Sequence, residues 1–145
     1  MYTTVLLLHS WIRWIALALG IVVTASALGR RPTERLGLLF MTALDTQMLL
    51  GLWLYLVLSP FTTQALNDFG AAMRDRSLRF WAVEHLTTML AAVVLAHVGR
   101  VLARRARTPA ARRTREIVCF GTATVLMLVG IPWPGLANGR PLFRV

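Results

Sequence analysis

The stretch VLLLHSWIRWIALALGIVVTASAL, Val5 to Leu28, decides the fold class: it is apolar from end to end, with one arginine, one histidine and no acid. A bilayer core about 30 Å thick needs about 20 apolar residues per helix, and this run is long enough to span it. Three more stretches read the same way, about 36–58, 78–102 and 117–134. The chain as a whole is 57% hydrophobic with a mean hydropathy of +0.61, well above a soluble domain. The expectation is an all-α protein, a bundle of four transmembrane helices forming one domain over residues 1–145.

The net charge of +10 is carried entirely by arginine, and its placement follows the membrane rather than a nucleic acid. Arg30, Arg31 and Arg35 fill the first connection. Arg100, Arg104, Arg105, Arg107, Arg112, Arg113 and Arg115 crowd the third. The positive-inside bias assigns both to the cytoplasm, which puts both termini on the outer, periplasmic side of a bacterial inner membrane. No nucleic-acid partner is expected; the bilayer is, together with other membrane subunits or further copies of the chain. The first apolar run lacks a basic leader and a cleavage site, so it reads as a retained helix rather than a signal peptide. Cys119, the single cysteine, falls within the fourth helix and allows no intramolecular disulfide.

Helix 1 presents His9, Arg13, Ala16, Gly20, Thr24 and Ala27 at steps of three or four, one face of a helix. Small residues on that face allow close helix packing in lipid. Helix 2 stops at Ser59 and Pro60, and the loop Phe61 to Ser77 is either a plain connection or one that includes a short helix lying on the membrane surface. The segment after Pro134 reads as an external strap containing arginine.

Ionisable groups in hydrocarbon cost about 2.5–3.5 kcal/mol even on lenient scales, so they pair, face inward and mark function. Depth sorts them into two layers. His9, Arg13, Glu84 and His85 lie near the outer face on helices 1 and 3; Asp45, His97 and Gln47 lie deeper. His97 is about 18 Å below His85 and turned about 120° from it, so these two do not hold one ligand. His9 and His85 share one depth, and two imidazoles can grip a heme b iron from opposite faces, with Arg13 near a propionate. The residues also allow His9 as an interfacial histidine, His85 bonded to Glu84 or a carbonyl, or a metal or quinone site. Glu84 can pair with Arg13 or Arg79. Asp45 and His97 read as an ion pair between helices 2 and 3, or as a proton or ion site; Gln47 bonds across helices or meets a quinone head group.

Taken in order, His9-Ser10-Trp11-Ile12-Arg13-Trp14, Gln47-Met48-Leu49-Leu50-Gly51-Leu52-Trp53-Leu54-Tyr55, Leu78-Arg79-Phe80 with Glu84-His85, and Ile131-Pro132-Trp133-Pro134 resemble a largely uncharacterised family of small bacterial four-helix membrane proteins labelled cytochrome b-like. The resemblance spans nearly the whole chain and implies a heme held by His9 and His85. Similar proteins tend to carry His at the position of Asp45, and that departure argues against a second heme on helix 2. The function expected is electron transfer through a bis-His heme near the outer face, by an electron carrier rather than a stand-alone enzyme. The alternatives are a heme-free accessory or structural subunit of a larger respiratory or photosynthetic complex, and a small proton- or ion-handling protein built on Asp45 and His97.

Overall fold

A computed structural model describes residues 1–136 and 138–143 and is helical throughout its regular structure, with no strand among the described residues. The elements are α1 (Tyr2–Leu28), α2 (Glu34–Trp53), α3 (Pro60–Asn67), α4 (Phe69–Arg74), α5 (Arg76–Arg79), α6 (His85–Arg104) and α7 (Pro109–Gly130). Two π-helical turns, Leu54–Leu58 and Phe80–Glu84, extend α2 and lead into α6. The four long helices form a ring in which α1 lies against α2 and α7, and α6 lies against the same two. Three stretches are long and apolar enough to cross a membrane: Tyr2–Leu28, Glu34–Leu58 and Arg76–Arg104.

The fourth helix differs from its expected bounds at both ends. It begins at Pro109 rather than near Ile117, because Thr108 caps it by accepting a hydrogen bond from Ala111 N at 3.1 Å while Pro109 takes the first turn. It ends at Gly130, ahead of Pro132 and Pro134, neither of which can continue a helical ladder. Its first two turns therefore carry Arg112, Arg113, Arg115 and Glu116, and α7 does not join the three long apolar stretches.

Those arginines have structural partners. Arg113 donates to the carbonyls of Ala27 and Leu28, both at 2.9 Å, and Arg115 donates to Leu102 O at 2.7 Å. They thereby satisfy the last turns of α1 and α6, where carbonyls lack intrahelical donors and the dipole favours cations. Glu116, buried, pairs with Arg112 at 3.1 Å.

Small residues set the spacing in the centre of the bundle. Ala16, Gly20, Val23 and Ala27 are the buried face of α1, overlapping the face expected from the sequence. A methyl at Gly20 would lie 2.6 Å from Thr124 Oγ1 and 2.9 Å from Phe40 Cε2, so only glycine lets α1 approach here. Phe40 and Phe120 fill the space so made, edge to face at 5.9 Å.

The 61–77 connection is not a plain loop but a succession of short helices. Ser59, Asp68 and Asp75 each cap the start of a short helix through a side-chain oxygen, giving α3, α4 and α5 in succession. Ala65, Ala72 and Ala82 bury a small core beneath them. These segments cover the end of the bundle that also holds the N-terminal turns of α1 and the segment after α7.

Candidate functional site

Both π-helical turns lie at this covered end, where an extra residue per turn redirects the side chains that follow. Ser59 N bonds back to Leu54 O at 2.7 Å, closing the first turn. Thr62 Oγ1 satisfies Tyr55 O at 2.7 Å, and the Tyr55 hydroxyl donates to Ala82 O at 2.8 Å, tying the first π turn to the second. Between them lies a cavity of about 140 Å³. His9, Arg13, Gln47 and His85 line it, as do Tyr55 and Trp81 from the π turns and Arg140 from the C-terminal segment. The rest of the wall is mainly apolar, including Leu44, Met48, Met89, Met127 and Ile131, and no Asp or Glu lines it among the described residues.

The two histidines face each other across this space with ring centroids 6.4 Å apart and planes 69° apart. His85 Nδ1 lies 2.8 Å from Gly130 O. A carbonyl only accepts, so Nδ1 carries the proton and Nε2 of the neutral ring keeps its lone pair. Trp81 and Phe80 flank the same ring at 5.6 and 5.9 Å. His9 Nδ1 is buried with no hydrogen-bond partner. Gly51 makes room for this imidazole: a Cβ there would be 3.2 Å from His9 Cε1. Gln47 Nε2 donates to His9 O at 2.9 Å, locking the two helices at this level.

These residues fit a metal held between two imidazoles. Metal–imidazole bonds are about 2 Å long and a ring centre lies about 1 Å further on, so two imidazoles that held one metal between them would have centroids about 6 Å apart. The observed 6.4 Å matches that arrangement. Among the described residues there is no group of three or more His, Cys, Asp or Glu side chains able to hold a metal ion.

The remaining polar residues lie elsewhere. Glu84 pairs with Arg79 at 2.7 Å on the exposed surface, not with Arg13. Asp45 Oδ2 and His97 Nε2 meet at 3.5 Å between α2 and α6, with side chains 46% and 43% exposed on the outside of the bundle rather than in the cavity. His97 Nδ1 donates to Val93 O at 3.0 Å, which leaves Nε2 as the ring nitrogen that faces Asp45.

Sequence reasoning missed Arg140. After α7 the chain returns over the cavity: Arg140 N bonds Pro132 O at 3.0 Å, and Leu142 O accepts from Arg13 at 2.9 Å and Trp14 Nε1 at 3.0 Å. Phe143 stacks on Trp11 and Trp14. The Arg140 guanidinium lies over Phe61 and Trp81, 5.0 and 5.4 Å from their ring centres. Arginine in a segment without helical period carries no positional signal, and nothing in the sequence links residue 140 to residue 81.

No family model, curated protein or solved structure matches this chain.

Proposed function

We propose that this protein is a membrane electron carrier of the b-type cytochrome kind, with His9 and His85 as the axial ligands of one heme. The observation that carries the reading is the pair of imidazoles 6.4 Å apart across an apolar cavity. A bound heme b supplies reversible one-electron chemistry at its iron. The residues do the rest. The Gly130 carbonyl fixes the His85 tautomer, Gly51 admits the His9 ring, and the apolar wall with the covering helices limits water. Arg13 lines the same cavity and supplies positive charge for a propionate.

The proposed setting is the bacterial cytoplasmic membrane, with four spans and both termini outside. The arginines clustered between α1 and α2 and between α6 and α7 support that orientation. α7 is read as the fourth span because its uncharged part packs in the ring beside α1 and α6. The site then lies near the outer face, suited to passing electrons from a quinol or another membrane donor to an acceptor outside. The absorption spectrum of protein purified from heme-replete cells tests this. A Soret band and a reducible α-band are expected, both lost in His9→Ala and His85→Ala; a colourless wild-type preparation overturns the reading.

A second reading is favoured by Asp45 and His97. Ionisable groups in a membrane generally face protein rather than lipid, and these two are half exposed on the bundle's flank. That supports a role as a subunit packed against another membrane protein or a second copy. Co-purification in mild detergent, lost in Asp45→Leu with His97→Leu, checks it.

A further inference from the structure

Asp45 on α2 and His97 on α6 meet at 3.5 Å, so they lie at one depth, and both are half exposed on the flank of the bundle. Their helices belong to two of the stretches long and apolar enough to cross a membrane. One contact leaves most of the carboxylate's capacity unused, since an ionised Asp offers about four acceptor positions. Leu49, one turn beyond Asp45, and Val94 and Val101, a turn to either side of His97, are exposed on the same two helices. The flank is therefore a polar pair set in an apolar surface. Hydrocarbon is a costly neighbour for such a pair, which calls for protein against it.

Equal depth decides which protein. A two-fold axis along the membrane normal, set beside the α2–α6 seam, brings α2 of one copy against α6 of the other without changing the depth of either. Asp45 then faces the partner's His97, and His97 faces the partner's Asp45. The surface carries both halves of the contact it needs, as an isologous interface requires, whereas an unrelated protein has to bring its own acid and imidazole at matching positions. We infer that the α2–α6 flank is a two-fold interface between two copies of this chain, closed by two Asp45–His97 contacts across it. This pairing rests on the reading of the flank as a packing surface and gives that surface one partner.

In the test, two differently tagged full-length copies are co-expressed, Asp45→Leu in one and His97→Leu in the other, and dimers are sorted by tag in mild detergent. A mixed dimer keeps one Asp45–His97 contact across the interface and sets leucine on leucine at the other; like dimers of either variant keep neither contact. The ratio of mixed to like dimers is expected to exceed the statistical ratio about tenfold, the scale of an interhelical polar contact in lipid. A statistical ratio overturns the inference, because contacts confined within each copy give no such preference. Disulfide formation reads the same interface without touching the pair. In a Cys119→Ser background, Leu49→Cys in one copy and Val94→Cys in the other lie about 6 and about 4.5 Å from the level of the pair toward the same end, and they are expected to crosslink. Leu49→Cys with Val125→Cys, exposed on α7, is not. Absence of the first crosslink overturns the interface even where the leucine variants fail to fold. If the chain does not self-associate but releases a different protein on Asp45→Leu with His97→Leu, this inference falls and the packing reading stands. A wild-type chain that is monomeric and unaccompanied in mild detergent ends both.

Discussion

At the scale of single residues, the site depends on what is absent as much as on what is present. Gly51 has no side chain where His9 needs space, and a Cβ there already comes within 3.2 Å of the ring. Gly51→Ala asks the imidazole to yield by a few tenths of an ångström and is expected to leave heme bound. Gly51→Leu fills the space and is expected to abolish the Soret band while circular dichroism still reports a helical protein. Arg30 illustrates a different local constraint. The end of α1 closes with Arg31 N on Ser26 O at 2.8 Å and Arg30 N on Ala27 O at 3.2 Å, the bonding of a Schellman motif. That motif places its left-handed residue at position 30, where φ is 58°, while the glycine sits one place earlier at φ −78°. A non-glycine residue pays for this conformation. Relief of about 1–2 kcal/mol of left-handed cost, less about 0.5–1 kcal/mol for glycine's greater freedom in the unfolded chain, leaves Arg30→Gly modestly stabilising, read as a higher melting temperature in detergent.

At the scale of elements, the two π turns are the parts that distinguish this bundle from a plain ring of helices. Each frees backbone groups that a regular helix would satisfy, and the structure satisfies them by joining the turns: Tyr55 Oη to Ala82 O, and Thr62 Oγ1 to Tyr55 O. Tyr55→Phe leaves the Ala82 carbonyl without this donor, a loss of about 1 kcal/mol. Because Trp81 lies in that turn and His85 follows it directly, the variant is expected to melt earlier and also to release heme faster. Unchanged heme retention alongside a lower melting temperature would detach the π turns from the site. The short helices α3 to α5 were legible in principle. Ser59, Asp68 and Asp75 each precede a helical turn, and all three act as caps, but each helix is too short for apolar periodicity to reveal it.

For the whole molecule, three of the four long helices in the ring follow from apolar runs whose length matches a bilayer, and the sequence carries that signal plainly. His9 and His85 were also legible as a pair, because depth along two helices entering from one side is simple counting. Their approach to 6.4 Å was not legible, since it depends on Gly51, on the second π turn and on the carbonyl that α7 frees at Gly130. Arg140 was illegible for the same reason in stronger form: its position is set by Pro132 and Leu142 hydrogen bonds that only the folded chain creates. The proposed orientation has its own test. In a Cys119→Ser background, a cysteine at Thr3 is expected to react with a membrane-impermeant thiol reagent in intact spheroplasts, and one at Thr108 only after lysis. The reverse pattern would turn the molecule over and move the site to the cytoplasmic face.

The central claim is that His9 and His85 bind one iron from opposite sides. Electron paramagnetic resonance of the oxidised, purified protein addresses it most directly. With two imidazoles as ligands and their planes 69° apart, the account predicts a low-spin ferric signal of the strongly anisotropic kind that steeply crossed rings produce, absent in His85→Ala. A high-spin heme in the wild-type protein, or no heme signal at all, would contradict it.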